Sequence, residues 1–397
     1  MNNLIEIKKI PRLRFPGFSG KWKKKNLGEI AEVTSSKRVY LSDYVREGIP
    51  FFRGKEISEL KKGIKNSEVL YIKKSKFIEF KNKFGAPKKG DILITSVGTL
   101  GNIYKVNIGY DFYFKDGNLI WLRNLRVNSD FLEISLDFNR KNLLKGVIGS
   151  TQKALTIDGI RKIKINLPSL PEQQKIADFL GSVDEWILNL RAQREFLESY
   201  KKGIMQRIFS REVRFKDKNG KDFPEPSFAK ATAGNWEEKR LGEILEIGNG
   251  KNYKHLKVGD VPVFGTGGYM LSVDKALYDG ESVLIGRKGT INKPFYYNGK
   301  FWTVDTLFYT YNFKNVIPKF ISLIFQQINW LKYNEASGVP SLSKATIEKI
   351  KVKIPSILEQ QKISNFLTSI DNLINLKQQQ LAGAEQWKKG LMQGLFV

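Results

Sequence analysis

From Ile176 onward, apolar residues return at steps that alternate between four and three: Ile176, Leu180, Val183, Ile187, Leu190, then Arg194, Leu197, Lys201, Ile204 and Ile208. That spacing keeps one stripe of a helix apolar and marks a coiled-coil seam. A second run does the same at Ile363, Leu367, Ile370, Ile374, Lys377, Leu381, Ala384, Lys388, Leu391 and Leu395. Each pattern predicts a helix of roughly 35 residues, or about 50 Å at 1.5 Å per residue. A typical globular helix has three or four turns. A lone helix this long exposes its seam, so the pattern predicts that the two pair antiparallel, as a spacer with a globular unit at each end. Lys201 and Lys388 break the two seams at equivalent places. Phe179, Trp186 and Phe196 flank the first seam and Phe366 the second, and these are candidates for docking further protein.

The two runs are copies. Residues 168–210 and 355–397 align without a gap, with about 20 of 43 positions identical. A long two-copy repeat implies approximate internal two-fold symmetry. Trp22 to Ile30 (WKKKNLGEI) matches Trp236 to Ile244 (WEEKRLGEI), and Arg14-Phe15 and Arg214-Phe215 precede them. The second copy carries extra polar residues within NGKDFPEPSFAKATAG, a composition that reads as a linker or exposed loop. Short β-rich runs such as Ile92 to Thr95 and Val283 to Ile285 end in glycine-containing turns. Leu155 to Leu167 matches Leu342 to Ile354, each a short helical turn followed by an alternating strand. The expected fold class is α/β (α+β). It has globular units over 1–167 and 211–354, the latter including the linker, and long helices over 168–210 and 355–397. Framework segments agree between the copies while the loops diverge.

Charge narrows the partners. Lys and Arg outnumber Asp and Glu 67 to 40, a formal +27. Such an excess repels itself, and a polyanion is its usual complement, which favours nucleic acid over an anionic membrane. No run of 18 apolar residues suggests a span. The first residues lack a signal-peptide apolar core, so a cytoplasmic location is expected. The chain has no Cys, which excludes disulfides and thiolate zinc sites. Its one His, His255, lies in the polar stretch KNYKHLK and reads as a surface or DNA-facing residue; no metal site is expected.

Catalytic patterns are missing. There is no GxxxxGK[ST] loop, GTGGYM at Gly265 lacks dinucleotide spacing, and no NPPY- or DPPY-like tetrapeptide occurs. Acyl-transfer dyads are nearly excluded. Glu79-Phe80-Lys81 fits half of a nuclease motif without the upstream Pro-Asp. Basic and glycine-rich loops remain. In the first unit they hold Arg53, Lys55, Ser96, Thr99, Gln152 and Lys153. In the second they hold Lys251, Asn252, Thr266, Arg287, Lys288, Ser341 and Lys344. Arg and Lys pair with guanine edges and Gln and Asn with adenine, while glycine lets backbone approach phosphate. A nuclease or fused methyltransferase, and an RNA-binding structural protein, are the competing classes.

The paired helix starts PSLPEQQKIADFL and PSILEQQKISNFL and the helix ends KKGIMQRIF and KKGLMQGLF carry a resemblance. So do the openings RLRFPGF…W…LGEI and VRF…W…LGEI. Over essentially its whole length the chain resembles the specificity (S) subunit of type I restriction–modification systems. The resemblance implies two target recognition domains, each reading one half of a split, asymmetric duplex DNA target. It implies helices that set the half-site separation and dock two methyltransferase (M) subunits, which bind S-adenosylmethionine and methylate adenine at N6 after flipping it. Two restriction (R) subunits would add translocation and cleavage driven by ATP with Mg²⁺. On this reading the chain is non-catalytic and binds no cofactor itself.

Overall fold

The computed structural model describes residues 10–64, 68–145, 147–148, 154–216, 220 and 236–397. Two helices dominate, Leu170–Phe209 of 40 residues and Ile357–Leu395 of 39. The chain divides into two compact units. Unit 1 comprises Met1–Leu190 with Gln380–Val397, and unit 2 is Arg191–Gln379. The division passes through the middle of both helices, so each unit holds the start of one and the end of the other.

The antiparallel pairing is visible within each unit. In unit 2, Arg194 donates to Gln378 Oε1 at 2.6 Å and Lys201 to Asp371 Oδ1 at 2.7 Å. Seven residues forward along one helix are thus seven back along the other. In unit 1, Val183, Ile187 and Leu190 pack with Leu381 and Ala384, and Lys388 pairs with Asp184. The seam lysines therefore have partners, and the partners are themselves repeat equivalents. Both pairs are partly exposed, so each contributes on the order of 0–1 kcal/mol. A charge placed at one seam position has its larger effect on register, because slipping the helices would leave it unpaired.

The repeated helix starts are built to grip the units. Gln173 Nε2 donates to Pro168 O and its Oε1 accepts from the Asn128 N–H; Gln360 does the same with Pro355 O and the Ile317 N–H. Arg14 forms two 2.8 Å bonds to Glu172, and Arg214 pairs with Glu359 at 2.9 Å. Phe179 and Phe366 pack edge-on against Phe15 and Phe215, each at 5.4 Å. These two phenylalanines, docking candidates from the pattern, are partly buried, each with one side against an RF segment. Ile176, Leu180, Ile363, Leu367 and Ile370 are buried in the unit cores, and Ile374 is partly buried there.

The short LGEI helices, Leu27–Ile30 and Leu241–Ile244, follow the same plan. Glu29 and Glu243 each accept from the backbone N–H three residues earlier, and the Leu27 and Leu241 N–H groups donate to Ile163 O and Ile350 O. The flanking strands Lys23–Asn26 and Glu237–Arg240 pair antiparallel with Lys164–Leu167 and Lys351–Ile354.

Between these framework pieces the units differ. Unit 1 has two four-stranded sheets. One is centred on Leu119–Arg123 and Ile92–Thr95; the other joins Ile49–Phe52 in parallel to Tyr113–Phe114. Unit 2 has one six-stranded sheet, in which Val258–Gly265 runs parallel to Phe295–Thr303. After the parallel strand unit 1 turns into a helix, Gly54–Lys61, whose Ile57 helps bury Leu93, Leu119 and Trp121. Unit 2 instead turns straight back through Gly265–Gly268 into the strand Gly268–Val273.

Candidate nucleic-acid interface

In unit 1 the strand Ile92–Thr95 is buried throughout and carries a turn, Ser96 to Gly101. In unit 2 the strand Tyr278–Gly286 carries the equivalent turn, Arg287 to Ile291. Gly98 has φ +76° and Gly289 φ +87°, a left-handed backbone that a side chain would strain. The turn is shared, but its charge is not. Ser96-Val97-Gly98-Thr99 stands where the second copy has Arg287-Lys288-Gly289-Thr290.

Unit 1 has its nearby cations in and at the two ends of the helix Gly54–Lys61, as Arg53, Lys55 and Lys62, with Glu59 beside them. A cleft of about 510 Å³ lies between that helix and the turn, lined by Arg53, Lys55, Lys62, Gly98, Thr99 and Asn118 among others. Thr99 Oγ1 lies 3.1 Å from Ser58 Oγ, which also accepts from Asn102 Nδ2. Arg53 is committed to the scaffold. Its backbone N–H and guanidinium both donate to Glu56, at 2.7 Å for the backbone bond. Burial pushes the Glu56 carboxyl up, but the Arg53 bonds outweigh it and hold it below the usual carboxylate value. Ser96 is turned inward: it is 3% exposed and donates to Gly117 O. Burial of a small hydroxyl with its bond satisfied is a structural role, which removes Ser96 from the accessible set. Gln152 and Lys153 lie outside the described residues. The Leu155 N–H just after them donates to Ser96 O.

Unit 2 brings four of its candidates together. The Arg287 N–H donates to Thr306 O, and its guanidinium reaches Asp305 O at 3.4 Å and lies 5.8 Å from the Phe308 ring centre. Lys288 forms an antiparallel bridge with Ser341, and the Gly289 N–H donates to Pro340 O. Thr266 Oγ1 lies 3.7 Å from where a Gly289 Cβ would stand. Lys251 and Asn252 are exposed beside the strand Phe295–Thr303; the Lys251 N–H donates to Thr303 O and its carbonyl accepts from Trp302 Nε1. Lys344 is exposed, three residues after Ser341. It opens the helix Lys344–Lys349, with its ammonium 3.6 Å from Glu348.

Lys62 and Asn118 in unit 1 were missed as candidates. Lys62 lies seven residues from Lys55, two helical turns, and a helix reading over 54–61 would have shown the shared face. Asn118 arrives from the turn before the distant strand Leu119–Arg123 and left no local signal. The half nuclease motif dissolves into separate ion pairs. Glu79 bonds Lys76 and Lys83, and Lys81 bonds Asp111. His255 is exposed and meets the Trp302 ring edge-on at 5.9 Å. Among the described residues no helix is long and apolar enough to cross a membrane, and no metal-ligating cluster occurs.

Residues 19–198 and 233–386 match the family described as the type I restriction modification DNA specificity domain. The chain is 25% identical over 378 residues to the type I restriction enzyme MjaVIII specificity subunit of Methanocaldococcus jannaschii, covering 81% of this chain and 82% of that one. In fold it is similar to the crystal structure of a type I restriction–modification S subunit from M. genitalium. The TM-score there is 0.65 at 19% identity, over 98% of this chain and 99% of the other. A chain from a structure on complex assembly and conformational transition of the type I R-M system aligns at TM-score 0.56 and 17% identity, over 96% of this chain and 97% of the other.

Proposed function

The chain belongs to the type I restriction–modification DNA specificity family, and from that premise we propose that its two units read the two halves of a split, asymmetric duplex target. It is a specificity subunit with two recognition domains. The observation that supports asymmetry is the shared turn with unlike charge: a neutral turn in unit 1, beside a helix of mixed charge, and a dibasic turn in unit 2. Basic groups beside backbone turns suit phosphate and guanine-edge contacts. In this reading 1–167 and 211–354 hold the recognition domains, and 168–210 and 355–397 are the spacer helices. The half-sites then fall about one helical turn apart, or a multiple of it.

The chemistry resides on partners in this proposal. Two M subunits supply S-adenosylmethionine-dependent adenine-N6 methylation. Two R subunits supply ATP- and Mg²⁺-dependent cleavage, and this chain contributes recognition alone. Co-expression with the cognate M subunit, followed by mapping of methylated adenines, tests the reading. The expected result is a bipartite, non-palindromic motif. Exchanging residues 31–154 for the matching segment of another family member should change one half-site only. A continuous palindrome, or a change in both halves, would refute it.

Docking is assigned to aromatics that the units leave uncovered. Trp186 and Trp387 meet edge-on at 6.2 Å in unit 1 and are each about half exposed. In unit 2, Tyr200 is the repeat equivalent of Trp387 and stacks with the exposed Phe196 at 6.3 Å. Exposed aromatic anchors of this kind dominate interface energies. Trp186→Ala with Trp387→Ala is expected to weaken M binding at one of two positions by about 30-fold or more, near 2 kcal/mol. Native mass spectrometry should then show the complex with one M subunit. Undiminished double occupancy would move docking elsewhere.

A further inference from the structure

The framework strand of unit 1 carries three consecutive lysines, Lys23 to Lys25, where unit 2 has Glu237, Glu238 and Lys239. Strand register places Lys24 opposite Asn166 and Asn26 opposite Lys164, so Lys24 and Lys164 are diagonal neighbours on one face. The same diagonal in unit 2 is closed by an ion pair, Glu238 to Lys351 at 2.7 Å, and the hydrogen bond from Lys351 holds the Glu238 carboxyl below its usual value. Among the described residues unit 1 has no such closure.

Instead, a separate cleft of about 440 Å³ opens there, with Lys24, Lys145, Lys162 and Lys164 on its walls and amide groups from Asn142 and Asn166 between them. Among the described residues no acidic side chain lines it; Val397 does, through its backbone oxygen. Asp158, nearby in sequence, bonds Arg161. Among the described residues none of the four ammonium groups has an acceptor. All four lysines are exposed, and Asn166 Nδ2 is held by the Val397 backbone oxygen at 2.8 Å. Among the described residues the wall holds no arginine and no aromatic ring. A protein partner is normally anchored by such groups. Point-charge lysines with amide donors suit phosphate oxygens.

We propose that this cleft is a sequence-independent phosphate-binding surface of unit 1 that grips the duplex DNA backbone outside the base-reading turn. The assignment rests on the DNA-reading proposal above and adds to it an asymmetry of grip between the units. Only unit 1 would hold the backbone through an open lysine diagonal.

Unit 2 supplies the test variant. Lys24→Glu installs the residue found at the equivalent place and should close the diagonal with Lys164, leaving the fold intact. Lys145→Gln with Lys162→Gln removes the other two charges from exposed positions. Binding of the full chain to a random-sequence 40-bp duplex is measured against salt, with selection from random duplexes run in parallel to read base preference. Either variant should make the log–log salt dependence shallower by about 2, close to 0.9 per lost phosphate contact. The selected motif should be that of the wild type. An unchanged salt slope in both variants, with the wild type still selecting a motif, overturns the cleft alone. A changed motif also overturns it, by making the cleft a base-reading site. A wild-type chain that binds no duplex overturns both proposals. Loss of poly-glutamate binding with an unchanged DNA slope would assign the cleft to an acidic protein segment instead.

Discussion

Phe396→Ala is expected to destabilise unit 1 by about 3–5 kcal/mol, the cost of deleting a buried aromatic, while unit 2 keeps its protection. Phe396 is 6% exposed. It stacks on Phe131 at 5.5 Å and meets Trp22 edge-on at 6.2 Å and Phe138 at 5.3 Å. Leu395 and Met392 enter the same core, and the Leu13 N–H donates to Gly394 O. The end of the second long helix thus finishes the core begun by Trp22. The mirror arrangement exists in unit 2, where Phe209 lies 5.8 Å from both Trp236 and Phe320. Phe209→Ala should therefore give the converse result. Hydrogen exchange read on Ile92–Thr95 and on Tyr278–Gly286 separates the units. Equal loss of protection in both under Phe396→Ala would contradict the division of cores. In DNA selection, the first variant should blur one half-site and the second variant the other.

Glu172→Ala is expected to cost about 3 kcal/mol, because it takes the buried carboxylate away from a partly buried guanidinium. The Arg14 and Glu172 side chains are 15% and 3% exposed, and Arg14 would keep only the Ser19 and Gly20 carbonyls as acceptors. The double change Arg14→Leu with Glu172→Leu should recover most of the loss, since a buried pair replaced by apolar residues is often neutral. Urea denaturation of the three variants checks this. A double variant as weak as the single one would mean that the pair adds net stability rather than geometry. Glu359, 2% exposed and bonded to Arg214, should behave alike in unit 2.

These two expectations show what kind of information local pattern carries. The EQQ residues were legible as a repeat, yet their roles were not. Glu172 and Gln173 act on Arg14, Asn128 and Pro168, and only Pro168 lies close in the chain. The seam pattern exposed Lys201 and Lys388 as breaks but not Asp371 and Asp184 as their partners. Periodicity placed Phe179 and Phe366 beside the seam but did not show that Phe15 and Phe215 pack against them. The same limit applies to the candidate interface. Arg53 and Ser96 are the right residue types in the right loops, but bonds to Glu56 and Gly117 engage them in the scaffold.

The sequence by itself determined the two-copy plan, the helix pair, the mixed α and β units and the polyanion-seeking charge. Period, repetition and composition are local or additive properties, and they survive without knowing where the chain goes. Only the tertiary structure decided that each unit borrows the end of one long helix to close its core. It alone gathered Lys55, Lys62, Thr99 and Asn118 onto one cleft and Thr266, Arg287, Lys288 and Ser341 into one cluster. Those groupings depend on contacts between residues tens to hundreds of positions apart, and packing sets such contacts where no spacing rule reaches.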